Sequence, residues 1–163
     1  MWKKMNIESN NRKIKIDDNI ITLMKKYIQT SRFSKESGGL LIGRENCSDN
    51  NLIIEYITEP FPKDKRKYNR FYRRDEKHID SYQSLYEFSF QVYAYIGEWH
   101  THHESIPNYS KIDYENWVKI GKESPITKEF YHIIIGNKAF KIWEYDNTHQ
   151  KISLINTTFW RNI

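Results

Sequence analysis

A single cysteine, Cys47, in a chain of 163 residues decides how this protein can be held together. One thiol allows no intrachain disulfide and no thiolate-rich zinc cluster. The fold must therefore rest on a buried apolar core, and any transition metal must be taken by histidine and carboxylate. The length suffices, because a folded chain of this size buries roughly 70% of the surface its unfolded form exposes. An aromatic content of 15% excludes a disordered chain. One domain over residues 1–163 is expected. Cys47 lies in the polar, turn-like run 46–51 without a neighbouring base and reads as an incidental thiol.

Apolar periodicity gives the elements. Asp17 and Asp18 can cap a helix whose Ile20, Leu23, Met24, Tyr27 and Ile28 share one face, running to about Ser31. Leu40–Ile42 and Leu52–Ile57 read as a β-hairpin around the Cys47 turn. A second helix is expected from Lys77 to Phe88 and a strand over Phe90–Trp99, where Phe90, Val92, Ala94 and Ile96 alternate. Ser110 can cap a third helix carrying Ile112, Trp117, Val118 and Ile120. Strands follow at Tyr131–Ile135, Phe140–Tyr145 and Lys151–Ile155, the first two joined by a tight turn at Gly136–Ala139. Helices and strands do not alternate regularly, so the expected class is α/β of the α+β type, a mixed β-sheet flanked by helices.

Charge is concentrated. Residues 62–77 hold eight basic side chains against three acids, while the rest of the chain carries eighteen of each sign. A partner selected by charge should meet this segment, with Arg66, Lys67, Arg70, Arg73 and Arg74 as its binding residues. No run approaches the roughly 20 apolar residues of a membrane span, and the polar and charged positions after Met1–Met5 give no apolar h-region, so a leader sequence is not expected. A cytoplasmic protein with no membrane partner is expected.

The chemistry gathers at His100-Thr101-His102, which closes the strand reading. Residues two apart on a strand point to the same face, roughly 6.6 Å apart, so two imidazoles can converge on one ion. Asp113, in the first turn of the third helix, can turn back toward them. Two nitrogens and one oxygen form a three-ligand shell that leaves the fourth position of zinc for water. A simpler reading exists for each part, since Ser110 with Asp113 also spells a capping box and His-x-His occurs by chance on surfaces. The joint pattern separates the two.

That pattern, His100-Thr101-His102, seven residues, then Ser110-x-x-Asp113, resembles the signature of the JAB/MPN metalloproteases, also called JAMM. Glu36-Ser37-Gly38-Gly39-Leu40-Leu41-Ile42-Gly43 matches the upstream element of that family. The resemblance implies a cytidine-deaminase-like architecture and a Zn2+ ion held by His100, His102 and Asp113. It further implies Glu36 as general acid and base and Ser110 as a hydrogen-bond donor to the oxyanion. Glu98, beside the motif, reads either as an orienter of a ligand imidazole or as a strand-edge acid. His103 stands where the family usually has proline, which removes a fixed φ from the loop.

Phe71-Tyr72-Arg73-Arg74-Asp75, His78, Tyr95-Ile96-Gly97-Glu98-Trp99-His100 and Trp117 narrow the resemblance to the small stand-alone bacterial JAB isopeptidases of CBASS antiviral operons. It implies hydrolysis of the amide between the C-terminus of a conjugated protein and its target. The conjugated protein would be a cyclic-oligonucleotide synthase or a ubiquitin-like protein with a flexible C-terminal tail, and an E1/E2-like conjugation enzyme of the same operon would be a further partner. A different class of function, a nucleic-acid-binding module, would use Lys63–Lys77 on phosphates with Tyr68, Phe71 and Tyr72 stacking on bases. The metalloprotease reading is preferred because it alone uses the His, Asp and Glu constellation.

Overall fold

The computed structural model describes residues 4–9 and 12–163; residues 1–3, part of the start read above for a leader, and residues 10–11 lie outside them. In chain order the strands are β1 Lys4–Glu8, β2 Lys13–Asp17, β3 Gly38–Glu45, β4 Leu52–Ile57, β5 Lys65–Lys67, β6 Arg70–Tyr72, β7 Ala94–Thr101, β8 Glu129–Ile135, β9 Ala139–Asp146 and β10 Lys151–Phe159. The helices are α1 Asp18–Lys25, α2 Lys77–Phe88 and α3 Lys111–Glu123. No helix among the described residues is long and apolar enough to cross a membrane.

Eight strands form one sheet in the order β1-β2-β4-β3-β7-β8-β9-β10, and β5 pairs with β6 alone. The sheet is mixed, as expected: β2 runs parallel to β4 and β7 parallel to β8, while the other neighbours are antiparallel. Alternation along β8 separates the two faces. Ile133 and Ile135 pack with Ile20, Ile21 and Met24 of α1, whereas Ile134 packs with Trp117 of α3 and with Trp143. Helices α1 and α3 thus cover opposite faces, and α3 is anchored chiefly through one tryptophan.

Several expected boundaries are corrected. Helix α1 stops at Lys25 instead of Ser31, because Lys26, Tyr27 and Ile28 tighten into i→i−3 backbone bonds and the chain then turns. The buried Gln29 amide holds that turn by donating to the carbonyls of Ser34 and Tyr68. Strand β7 starts at Ala94 instead of Phe90. Phe90 and Gln91 sit in the left-handed region at φ 54° and 67°, which ends α2 in a sharp turn, and the Phe90 ring is left exposed. Strands β1 and β2 were not expected; their buried Ile7, Ile14 and Ile16 alternate with lysines and asparagine. The basic segment carries the β5–β6 hairpin.

Strand β7 is locked on both sides. Against β3 the register sets Gly38 opposite His100 and Gly39 opposite Trp99, and against β8 it sets His100 opposite Ile134. A bulge near Gly97 lets the Tyr131 carbonyl approach so closely that a Cβ there would lie 1.8 Å from it. The substitution Gly97→Ala is expected to destabilise the fold by about 3 kcal/mol, read as a lowered urea midpoint at unchanged slope; an unchanged midpoint would show that the strands do not need this approach.

Candidate metal centre and active site

Three ligand-type side chains meet at the C-terminal end of β7. His100 Nε2 and His102 Nε2 lie 3.0 Å apart, Asp113 Oδ1 is 3.3 Å from His100 Nε2, and Asp113 Oδ2 is 3.3 Å from His102 Nε2. Two ligands bound at 2.0–2.1 Å in tetrahedral geometry would be about 3.3–3.4 Å apart, so these spacings fit one small divalent cation. This is the one group of three metal-type donors found among the described residues. The donor set, two imidazoles and a carboxylate, also suits such an ion.

Local structure explains the convergence. Thr101, between the histidines, points to the other face; its N–H donates to Ser37 O and its Oγ1 accepts from Ser37 N. His102 N–H donates to Ile135 O, continuing the pairing with β8 past the end of β7. On α3, Ser110 Oγ accepts from Asp113 N at 3.2 Å and Ser110 N donates to Asp113 Oδ2 at 2.7 Å. The capping box therefore exists, and it aims the same carboxylate at the imidazoles. Burial alone would raise the Asp113 pKa, but both imidazoles and the Ser110 N–H hold it well below the usual carboxylate range. Burial disfavours charge on His102, yet Asp113, Glu36 and Glu104 outweigh it and its pKa is raised.

Glu36 precedes Ser37 and Gly38, so the β3–β7 register carries its carboxyl into the same cleft as the two histidines, Asp113 and Ser110. It is 6% exposed. Its pKa is pushed up to about 7, first by burial and further by Asp113, while His100, His102 and Arg70 pull it down. A bound cation would draw it lower still. The backbone of Glu36 is fixed by the basic hairpin: its N–H donates to Lys67 O and its carbonyl accepts from Arg66 Nε at 2.9 Å. A Cβ on Gly38 would lie 2.5 Å from the Trp99 carbonyl oxygen and 2.7 Å from the Phe71 ring, which is why glycine is required where β3 pairs with β7 beneath β6.

The cleft, about 710 Å³, has the metal-type donors and Glu36 in its floor, β6 and residues 73–74 on one side and α3 on the other. Glu98 also lines it, but its carboxylate takes Arg73 at 2.9 and 3.0 Å, with no hydrogen bond to an imidazole among those of the described residues. His103 turns away from the donors; its Nε2 lies 3.0 Å from Ser34 O and its ring stacks on Tyr68 at 3.7 Å. The fixed φ of a proline is replaced by anchoring to the β8–β9 turn, where the N–H groups of Asn137 and Lys138 donate to the carbonyls of Glu104 and Ser105.

Of the other histidines, His78 is fully buried between Thr58 Oγ1 at 2.6 Å and Asp64 Oδ2 at 2.7 Å, and His149 pairs with Asp146. Both are structural. His132 lies under the site. Its ring stacks on Trp117 at 4.5 Å and 3°, its Nδ1 accepts from Glu98 N–H, and burial holds its pKa near 3. A histidine inside the apolar run 130–135 of a central strand was the available signal.

A family described as prokaryotic homologs of the JAB domain matches residues 26–149, and the chain belongs to it. The CD-NTase/cGAS isopeptidase of Escherichia coli (strain TW11681) is 35% identical over 124 residues, which cover 76% of this chain and 75% of that protein. The CD-NTase/cGAS isopeptidase of Vibrio cholerae (El Tor Inaba N16961) is 32% identical over 123 residues, 74% of each. The solution structure of protein DSY2949 from Desulfitobacterium hafniense overlays with a TM-score of 0.60 at 14% identity, covering 86% of this chain and 88% of that one, a likeness of fold alone. Strands β1, β2 and β10 lie outside the matched family segment and extend the same sheet at both ends.

Two outcomes follow. Purified protein is expected to carry about one equivalent of zinc by elemental analysis and His102→Ala to lose it; retention in the variant would remove His102 from the ligand set. In metal-free protein the ionised Glu36 is a buried charge whose folded pKa, about 7, exceeds its ordinary value of 4.5. Its ionisation therefore lowers stability increasingly as pH rises between those values. Glu36→Gln should stabilise metal-free protein by roughly 2–3 kcal/mol at pH of about 8 and by little at pH of about 4, read from chemical denaturation. Equal stability at both would show a solvated side chain.

Proposed function

We propose that this protein is a zinc-dependent isopeptidase of the JAMM type that releases a conjugated protein from its target by hydrolysing the amide at its C-terminus. The observation that carries the reading is the meeting of His100, His102 and Asp113 at 3.0–3.3 Å beside the buried Glu36 carboxyl in one open cleft. A zinc ion held by His100, His102 and Asp113 would supply Lewis acidity toward the amide carbonyl and lower the pKa of water there to roughly 7.

The chain's own groups do the rest. Glu36 accepts a proton from the attacking water as the water oxygen bonds to the carbonyl carbon, and then delivers it to the leaving amine as the C–N bond breaks. The products are a C-terminal carboxylate and the freed lysine amine, and no acyl-enzyme forms. Ser110 Oγ already accepts from Asp113 N, so its single proton is free to donate to the carbonyl oxygen as that atom gains charge. The outer edge of β6 gives an extended tail a place to add by main-chain hydrogen bonds.

Relatives named CD-NTase/cGAS isopeptidase support a nucleotide synthase as the conjugated protein. We therefore assign the chain to antiviral defence in the bacterial cytoplasm, with an E1/E2-like conjugation enzyme of the same operon making the substrate. The nucleic-acid reading loses support. Arg66 is held by the Glu36 carbonyl and Ser37 Oγ, Arg73 by Glu98, and one face of the Tyr68 ring is taken by the stack with His103.

On a synthase–lysine isopeptide substrate, Glu36→Ala should lower kcat by about 10²–10⁴ and Ser110→Ala by about 10²–10³. Chelation should abolish activity, added zinc should restore it, and thiol alkylation should leave it intact. The rate should fall as pH drops through the Glu36 pKa of the zinc-loaded enzyme, because the base must be ionised. Full activity in Glu36→Ala would refute the assigned role.

A further inference from the structure

Four half-buried arginines are found among the described residues, at positions 12, 66, 70 and 73. Three spend their guanidinium inside the fold: Arg12 on Glu45 and Glu129, Arg66 on the Glu36 carbonyl and Ser37 Oγ, and Arg73 on Glu98. Arg70 differs. Among the described residues no carboxylate or carbonyl lies within hydrogen-bond reach of its guanidinium, which rests 5.0 Å from the centre of the Tyr72 ring. Arg74 lies over the same ring at 5.4 Å and likewise has no carboxylate partner. Arg70 and Tyr72 bound β6, Arg74 follows two residues further on, and all three line the cleft with the metal-type donors.

The acids of that cleft are already engaged. Glu98 holds Arg73, Glu123 holds Lys119 at 3.8 Å, Glu104 accepts from Asn108 N–H, and Asp113 faces the imidazoles. Glu36 feels the charge of Arg70 but belongs to the reaction centre. Two uncompensated cations are thus gathered around one aromatic ring in the cleft wall.

We propose that Arg70 and Arg74, spaced by Tyr72, form a subsite for acidic side chains on the substrate's tail, so that the conjugated protein is selected for aspartate or glutamate within about five residues of the cut. This rests on the isopeptidase reading above. Side chains on one face of an extended tail repeat every roughly 6.6 Å, the period that separates Arg70 from Tyr72 on strand β6. Stacking on the ring leaves the edge of each guanidinium free, and that edge matches a carboxylate in a two-pronged hydrogen bond. Both guanidinium groups already lie against that ring, where a nucleotide base would have to compete with them.

The test uses zinc-loaded Glu36→Gln protein and fluorescent tail peptides that differ only in Glu against Gln at alternate positions near the C-terminus. The Glu peptide should bind about tenfold more tightly, with a preference that shrinks as salt rises from about 0.05 to about 0.5 M. Arg70→Ala should remove most of that preference. Arg74→Glu, a change at an exposed position, should turn it toward a Lys-bearing peptide. Equal binding of the Glu and Gln peptides, or a preference that survives both changes, would overturn the subsite. Displacement of the Glu peptide by a single-stranded oligonucleotide at physiological salt would also overturn it, assigning the pair to phosphate. Cleavage by the wild-type enzyme separates the two readings: acid-selective binding without hydrolysis of the amide-linked peptide removes the isopeptidase and keeps the subsite, and hydrolysis without selectivity does the reverse.

Discussion

The site depends on one carboxylate with two obligations. Asp113 Oδ2 accepts the Ser110 N–H at 2.7 Å and lies 3.3 Å from His102 Nε2, while Oδ1 lies 3.3 Å from His100 Nε2. From sequence, helix capping and metal ligation compete to explain Ser-x-x-Asp. In space they are one arrangement, because the orphan amide at the start of α3 orients the acid that the imidazoles need. A helix start is a rigid platform, and here it presents a carboxylate to the two imidazoles at the positive end of the helix, where negative charge is favoured.

A second dependency links the basic hairpin to Glu36, the proposed general base. Glu36 has no element of its own; it sits just before β3, held by Lys67 O, Arg66 Nε and the Ser37–Thr101 exchange. The charge that looks like a partner-binding patch is in part internal scaffolding. Of the five residues assigned to a partner, Arg66 and Arg73 are consumed inside the fold, and Arg70 and Arg74 retain uncompensated charge in the cleft.

Much of this was legible. Helices α2 and α3, strands β3, β4, β8 and β9, and the grouping of His100, His102 and Asp113 follow from short-range period and spacing. The misses have physical causes. Tyr27 and Ile28 keep helical apolar spacing after α1 has ended, since they pack as a turn against the core. Phe90 and Val92 imitate a strand but are exposed around two left-handed residues. Strands β1 and β2 alternate apolar residues with lysine and asparagine and draw their stability from the sheet edge they extend. The pairing of Glu98 with Arg73 and the stack of His132 under Trp117 depend on tertiary contacts that no local pattern encodes.

The most direct test of the central claim is anomalous diffraction at the zinc edge from crystals of the zinc-loaded protein. A single peak bounded by His100 Nε2, His102 Nε2 and an Asp113 oxygen, each at about 2.0–2.2 Å, is the predicted result. A peak held by other side chains, or none at this site in protein that carries zinc, would contradict it.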